Sequence, residues 1–134
     1  MNEYEEIRKE IDNYLMNRFN YRLSLVYLTP DNIIVTRRNS RVDLYLRLRR
    51  KESLFPPDCL IIARIGFKKE HIGHGTHFVH FLIEIAEKYN FKHIGLESVN
   101  EKSKAFAEKL GFHSIDNSNY VISTENLKCY FKEW

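Results

Sequence analysis

The stretch Glu70-His71-Ile72-Gly73-His74-Gly75-Thr76 lies between two segments of different pattern, and its reading decides the fold. Before it, Cys59-Leu60-Ile61-Ile62-Ala63-Arg64-Ile65-Gly66-Phe67 is a nearly unbroken apolar run, the pattern of a strand covered on both faces. After it, Phe78, Leu82, Ile85 and Tyr89 recur at helical spacing, with Glu84, Glu87 and Lys88 mostly elsewhere on the wheel. A strand, a Gly-x-Gly turn and a helix N-terminus together suit an anion. Glycines let successive N–H groups turn inward, and the helix dipole adds partial positive charge. Gly-x-Gly alone is equally the mark of an ordinary strand-to-helix turn.

The next segment separates these readings. A strand, His93-Ile94-Gly95-Leu96-Glu97-Ser98-Val99, is followed by Asn100 and by a helix closing in Glu108-Lys109-Leu110-Gly111-Phe112. Taken with Gly73 and Gly75, this order and spacing resembles the GNAT superfamily of acyl-CoA-dependent N-acyltransferases. Its phosphate loop reads Arg/Gln-x-x-Gly-x-Gly/Ala, and a strand, an Asn and a helix ending Lys-Leu-Gly-Phe come next. The resemblance covers Cys59 to Phe112. It implies a mixed α/β fold: a mostly antiparallel sheet with one central parallel strand pair and helices on both faces. It also implies acetyl-CoA, or another acyl-CoA, as cosubstrate and an amine as acceptor.

What the resemblance implies for individual residues is specific. Backbone N–H groups from His71, Ile72, Gly73, His74, Gly75 and Thr76 would hold the CoA pyrophosphate. The backbone of Ile65, Gly66 and Phe67 would pair with the pantetheine arm, and Asn100, with Ser103 beside it, would hydrogen-bond to that arm. Three features depart from the pattern. Glu70 stands where Arg or Gln is usual, with Lys68, Lys69 and His71 as offsetting charges. Ala107 stands where many members carry a Tyr that protonates the leaving thiolate. The strand and second helix that often precede the first hairpin are missing, so the acceptor does not transfer by analogy.

For a base, Glu97 is the best-placed carboxylate, with a plain strand-edge charge as its other reading; water also serves if the amine is partly neutral. For the acid, Ser98, Ser103 and Tyr130 are the candidates left once Ala107 is set aside. No activated Cys or Ser motif is present, which points to direct attack of the amine on the thioester.

The remaining sequence bounds the reading. One hundred and thirty-four residues with 43% hydrophobic and 29% charged content suit one folded domain, residues 1–134. A formal charge of +3 permits a phosphate-bearing ligand without requiring nucleic acid. Cys59 and Cys129 lie far apart with no metal spacing, no run reaches membrane-spanning length, and the acidic start does not read as a signal peptide. The expected location is cytoplasmic, with no membrane partner. His71, His74, His77 and His80 recur every third residue, but such steps drift around a helix, so no metal site is expected.

In chain order, a helix over Asn2–Arg18 precedes strands at Arg22–Leu28, Ile33–Thr36 and Arg41–Arg49, the last two joined tightly at Asn39-Ser40. Arg41–Arg49 alternates cleanly, with Val42, Leu44, Leu46 and Leu48 on one face. A helix over Lys102–Leu110, a strand at Phe112–Ile115 and a last strand near Leu127–Phe131 complete the pattern. Arg37, Arg38, Arg41, Arg47, Arg49, Arg50 and Lys51 are the densest basic segment. With only Tyr45 interleaved, it reads as a solvated sheet face ahead of a nucleic-acid surface. The expected activity is acyl transfer to a primary amine of a small molecule or peptide. A non-catalytic acyl-CoA-binding module is the rival, and a homodimer stays open.

Overall fold

A computed structural model describes residues 2–38, 41–68 and 73–134. The expected Asn39-Ser40 connection, and Lys69, Glu70, His71 and Ile72 of the phosphate loop, lie outside the described residues.

The chain opens with α1 (Glu3–Phe19). Asn2 caps it by accepting the Glu5 N–H at 2.8 Å, three acids occupy its first turn, and Asn20 ends it in the left-handed conformation. Ile7, Ile11 and Leu15 form its buried stripe. Asp12, also buried, accepts the N–H groups of Leu25 and Val26 at 2.6 and 3.2 Å and so fixes the entry to β1 (Val26–Leu28). That strand is shorter than the expected Arg22–Leu28. Ladder pairing with β2 (Ile33–Thr36) begins only at Val26, and Leu23 is left exposed.

β3 (Val42–Arg49) alternates as its sequence predicts, and β4 (Cys59–Phe67) has the expected bounds. Where they pair, the register passes from Tyr45 opposite Arg64 to Leu46 opposite Ile62, so Ala63 is an extra residue on β4. Such a bulge bends and twists the strand that carries it. Next, α2 (His74–Tyr89) crosses to β5 (His93–Leu96), which is parallel to β4. α3 (Glu101–Lys109), β6 (His113–Ser114), β7 (Tyr120–Ser123) and α4 (Thr124–Tyr130) follow. The described strands form one sheet in the order β1-β2-β3-β4-β5-β7-β6, antiparallel except for β4 and β5. The expected sheet is the observed one.

One expectation is corrected. The last strand is not near Leu127–Phe131; it is β7, and residues 124–130 are helical. Ser123 caps that helix by accepting the Asn126 N–H at 3.1 Å, and Leu127 and Phe131, four residues apart, are buried while Lys128, Cys129 and Tyr130 face outward. Leu46, Ile62 and Leu96 form one cross-strand row and Leu48, Leu60, Ile94 and Ile122 the next. Residues from all four helices join this one apolar cluster, among them Ile7, Phe78, Ala107 and Leu127. The opposite face holds a smaller cluster of Phe55, Cys59, Ile61 and Val121. Farther along that face the side chains are Tyr45, Arg47, Arg49 and Arg64, too polar to bury a helix's apolar stripe.

Gly111, at φ +93°, ends α3. The N–H groups of Phe112 and Gly111 donate to the carbonyls of Ala107 and Glu108, the paired bonds of a Schellman motif, which explains the Leu-Gly-Phe signature physically. Among the described residues no helix is long and apolar enough to cross a membrane.

Candidate active site

β4 runs five residues past the point where β5 leaves it. The parallel ladder ends at Ile62 opposite Leu96, with one further bond from the Glu97 N–H to the Ile62 carbonyl at 3.0 Å. Ser98 then turns the chain away at φ +55°, its N–H donating to Asn119 Oδ1 at 3.1 Å. The expected strand through Val99 is cut short by this turn. Beyond it, Ile65–Phe67 of β4 has β3 on one side and a cleft on the other.

Three cavities form a series through this cleft. The outer one, about 370 Å³, is bounded by Ile65–Phe67, Gly73, Gly75, Thr76, Asn100, Lys102, Ser103 and Phe106. The middle one, about 180 Å³, shares Ile65, Asn100 and Ser103 with it and reaches Glu97 and Ser98. The third, about 370 Å³, shares Glu97 and Ser98 with the middle one and opens among Arg47, Arg49, Ser53, Leu54, Phe55, Ile61 and Asn119. A further cavity of about 540 Å³ lies at the far end of α2, around Asn90–His93 and Ser123–Lys128. It contains none of the predicted site residues.

At the outer end, Gly73 caps α2 at φ +73°, a conformation that costs any residue with a Cβ about 1–2 kcal/mol. Among the described residues, a Cβ on Gly75 would meet only the Phe106 ring, at 3.7 Å, an ordinary contact. Gly75 and Thr76 belong to the first helical turn, whose N–H groups have no intrahelical acceptor. The His74 side chain points away from this cavity. It is buried, its Nδ1 accepts from Arg18 Nε at 2.9 Å, and its ring lies 4.7 Å from Phe19 and 5.3 Å from Phe67. His77 and His80 instead pack on Trp134, at 4.8 and 4.7 Å. Burial and the neighbouring Arg18 and His80 charges hold the His77 imidazole below its ordinary pKa. Among the described residues no three His, Cys, Asp or Glu side chains are grouped to hold a metal ion.

Asn100 and Ser103 cap α3 reciprocally. Asn100 Oδ1 accepts the Ser103 N–H at 3.0 Å and Ser103 Oγ accepts the Asn100 N–H at 2.9 Å, so both side chains are held where they line the cleft. Ala107 faces the other way, fully buried in the main core, and borders none of the three cavities.

Glu97 stands where the middle and third cavities join. Arg47 grips it with two bonds, Nε to Oε2 at 2.9 Å and Nη2 to Oε1 at 3.4 Å. The Arg47 pKa is raised above its ordinary value, first by the hydrogen bond to Glu97. Ser98 is exposed at the same junction. Tyr130 is not brought there. It is exposed on α4, its ring packs on Phe131, and it borders none of the three cavities. Because residues 124–130 are a helix lying along α2, Tyr130 is carried away from the end of β5.

Arg47, Lys102, Phe106 and Asn119 are cleft residues that the sequence did not single out for the site. Only Arg47 carried a signal, as part of the basic segment. That segment divides by partner. Arg50 is structural: it pairs with Glu3 and Asp58, donates to the Tyr89 and Asn90 carbonyls, and stacks 3.8 Å from the Phe91 ring centroid. Tyrosines do interleave with arginines: Arg37 lies over Tyr27 of β1, and Tyr45 meets both Arg47 of its own strand and Arg64 of β4.

No protein-family model matches the chain, and no curated protein matches it in sequence. Solved structures do match by shape. A GNAT-family acetyltransferase from Staphylococcus aureus Mu50 is similar over 90% of this chain and 92% of its own, at 15% identity and a TM-score of 0.51. A tyrosine-to-phenylalanine mutant of the toxin AtaT, bound to the C-terminus of the antitoxin AtaR, is similar over 76% and 70%, at 17% identity and a TM-score of 0.55. Sheet order, the single parallel pair and these likenesses agree, and the chain has the fold of the GNAT superfamily.

Proposed function

We propose that the protein transfers an acetyl or other acyl group from an acyl-CoA to a primary amine by direct attack. The observation that carries this reading is the gap beside Ile65–Phe67 after β5 ends, leading from the first turn of α2 to Glu97. It fits the donor in three ways. Strand-edge backbone can pair with the amides of an extended arm, glycine at 73 and 75 leaves room for a pyrophosphate, and Lys102 adds a cation at the cleft wall. Acyl-CoA supplies a thioester carbonyl there.

The residues of the chain then have definite tasks. Gly73, Gly75 and Thr76 hold the phosphate end, and Asn100 and Ser103, fixed by their mutual cap, orient the arm. Glu97 faces both the donor and the open side and is the group best positioned to take the amine's proton as the C–N bond forms and the C–S bond breaks. Ser98 or Ser103 is the nearest hydroxyl for the departing sulfur. Cys59 is no nucleophile: burial pushes its thiol up to about 12.

The test has two arms. Titration calorimetry should give saturable acetyl-CoA binding that is lost in Gly75→Val. Thiol release with a panel of amines should give turnover that falls in Glu97→Gln. Binding without turnover on any amine would favour the second reading, an acyl-CoA-binding module. That reading rests on the absence of a phenol among the described residues that line the cleft, Ala107 being buried elsewhere.

A further inference from the structure

The third cavity opens on the face of the sheet that carries Arg47 and Arg49, and its charges do not balance. Arg47, Arg49 and Glu97 are the charged side chains among its lining residues. Arg47 and Glu97 neutralise each other through their two bonds. Arg49 lies two residues on along the same face of β3, about 7 Å from Arg47 by strand geometry. Its side chain is exposed and makes no hydrogen bond, ion pair or ring contact among the described residues. Arg64 of β4, on the same face, is already engaged by Asp43 at 2.8 Å. The rest of the lining is mixed: Phe55, Ile61 and an exposed Leu54 are apolar, and Ser53, Ser98 and Asn119 are polar.

We infer that the acceptor is an anionic amine: a primary amine joined by a short, partly apolar spacer to a carboxylate or phosphate, which Arg49 receives. The inference rests on the acyl-transfer reading, which gives the Glu97 end of the cavity its role. A guanidinium presents paired N–H donors that match either anion, and such charge-assisted bonds are the strong ones in a half-open site. An amine carrying a second positive charge, such as a polyamine, would instead meet Arg49 unfavourably. In the reaction the acceptor nitrogen gains the acyl carbon and loses a proton, and the CoA sulfur leaves with the electron pair of the C–S bond. The anionic group takes no part in bonding changes and serves only to hold and orient the amine.

The test compares matched amines by thiol release: phosphoethanolamine against ethanolamine, and β-alanine against β-alaninamide, with putrescine as the dicationic arm. Wild type should favour the anionic member of each pair. In Arg49→Gln, the ratio of kcat/KM for phosphoethanolamine to that for ethanolamine should fall about tenfold, through KM, with Arg49→Lys between the two. Taking the ratio within each protein cancels the difference in amine basicity and any loss of folded protein. A preference of wild type for ethanolamine or putrescine, or an equal fall for both members of a pair, would overturn the inference. If no amine turns over, the acyl-transfer reading fails, and the anion site is decided by equilibrium binding. N-acetyl-β-alanine binding wild type more tightly than N-acetylethanolamine, with that difference lost in Arg49→Gln, upholds the anion site; equal or absent binding overturns it.

Discussion

Arg47 on β3 and Glu97 just past β5 meet across the intervening strand, guanidinium Nε to carboxylate Oε2 at 2.9 Å. Fifty residues separate them in the chain. Both are partly exposed, so the pair contributes little to stability, about 0–1 kcal/mol; its consequence is to orient the carboxylate at the mouth of the cleft. Glu97→Gln should lower kcat by about 10²-fold or more while acetyl-CoA affinity is kept, the scale of a positioned proton acceptor. Arg47→Gln should cost less, because the carboxylate remains. Equal turnover in Glu97→Gln and wild type would leave Glu97 as a plain ion-pair partner.

Gly75→Val should abolish acetyl-CoA binding with little change in melting temperature. Among the described residues the nearest atoms to an added Cβ are those of the Phe106 ring at 3.7 Å, an ordinary contact, so the new side chain takes ligand space. Unaltered affinity would show that phosphate does not approach this turn.

Ala107→Tyr should destabilise the protein by about 1–3 kcal/mol or more and should not install an acid. Its side chain is fully buried in the main core, where a phenol overpacks the space beside Leu110 and Phe112. Denaturant unfolding measures the loss. A stable variant with raised turnover would mean that this face of α3 reaches the donor.

Gly95→Ala should destabilise by a comparable amount, about 1–3 kcal/mol, for a local reason. An added Cβ would lie 2.6 Å from the Phe55 ring and 3.3 Å from Cys59 Sγ. Because Phe55 also walls the third cavity, the substitution should disturb acceptor KM more than acetyl-CoA affinity. Phe55→Ala in the same chain should remove most of the added cost, a non-additivity that a double-mutant cycle reads.

Cys59 and Cys129 should differ in reactivity. Cys129 is exposed, whereas Cys59 is buried with its thiol pushed up to about 12. A thiol reagent at pH 8 should label one site in the folded protein and two after denaturation. Because the unfolded thiol ionises near its ordinary value of about 8.5, the contribution of Cys59 to stability is complete below that pH. It is lost progressively as pH rises toward about 12. The melting temperature should therefore fall through this interval, less steeply in Cys59→Ala.

The central strand and the helix after it were legible in the sequence because their signals are local. Nine mostly apolar residues follow Pro56-Pro57, and a 3.6-residue stripe begins after Gly73-His74-Gly75. Asn100 and Gly111 were legible for the same reason: each satisfies helix-end groups within a few residues of itself, one as a cap and one in the left-handed region. Tertiary structure decided the rest. The short run Leu127–Phe131 fits strand or helix alike, and the Ser123 cap and contact with α2 chose helix, which removed Tyr130 from the site. The outward face of β3 reads as bare arginine and a single Tyr, yet partners reach it from other segments: Arg64 of β4 over Tyr45, Glu97 beside Arg47. The cleft itself is no property of any segment. It exists because β5 stops pairing at Leu96 while β4, bulged at Ala63, continues to Phe67, and where two strands part depends on both of them at once.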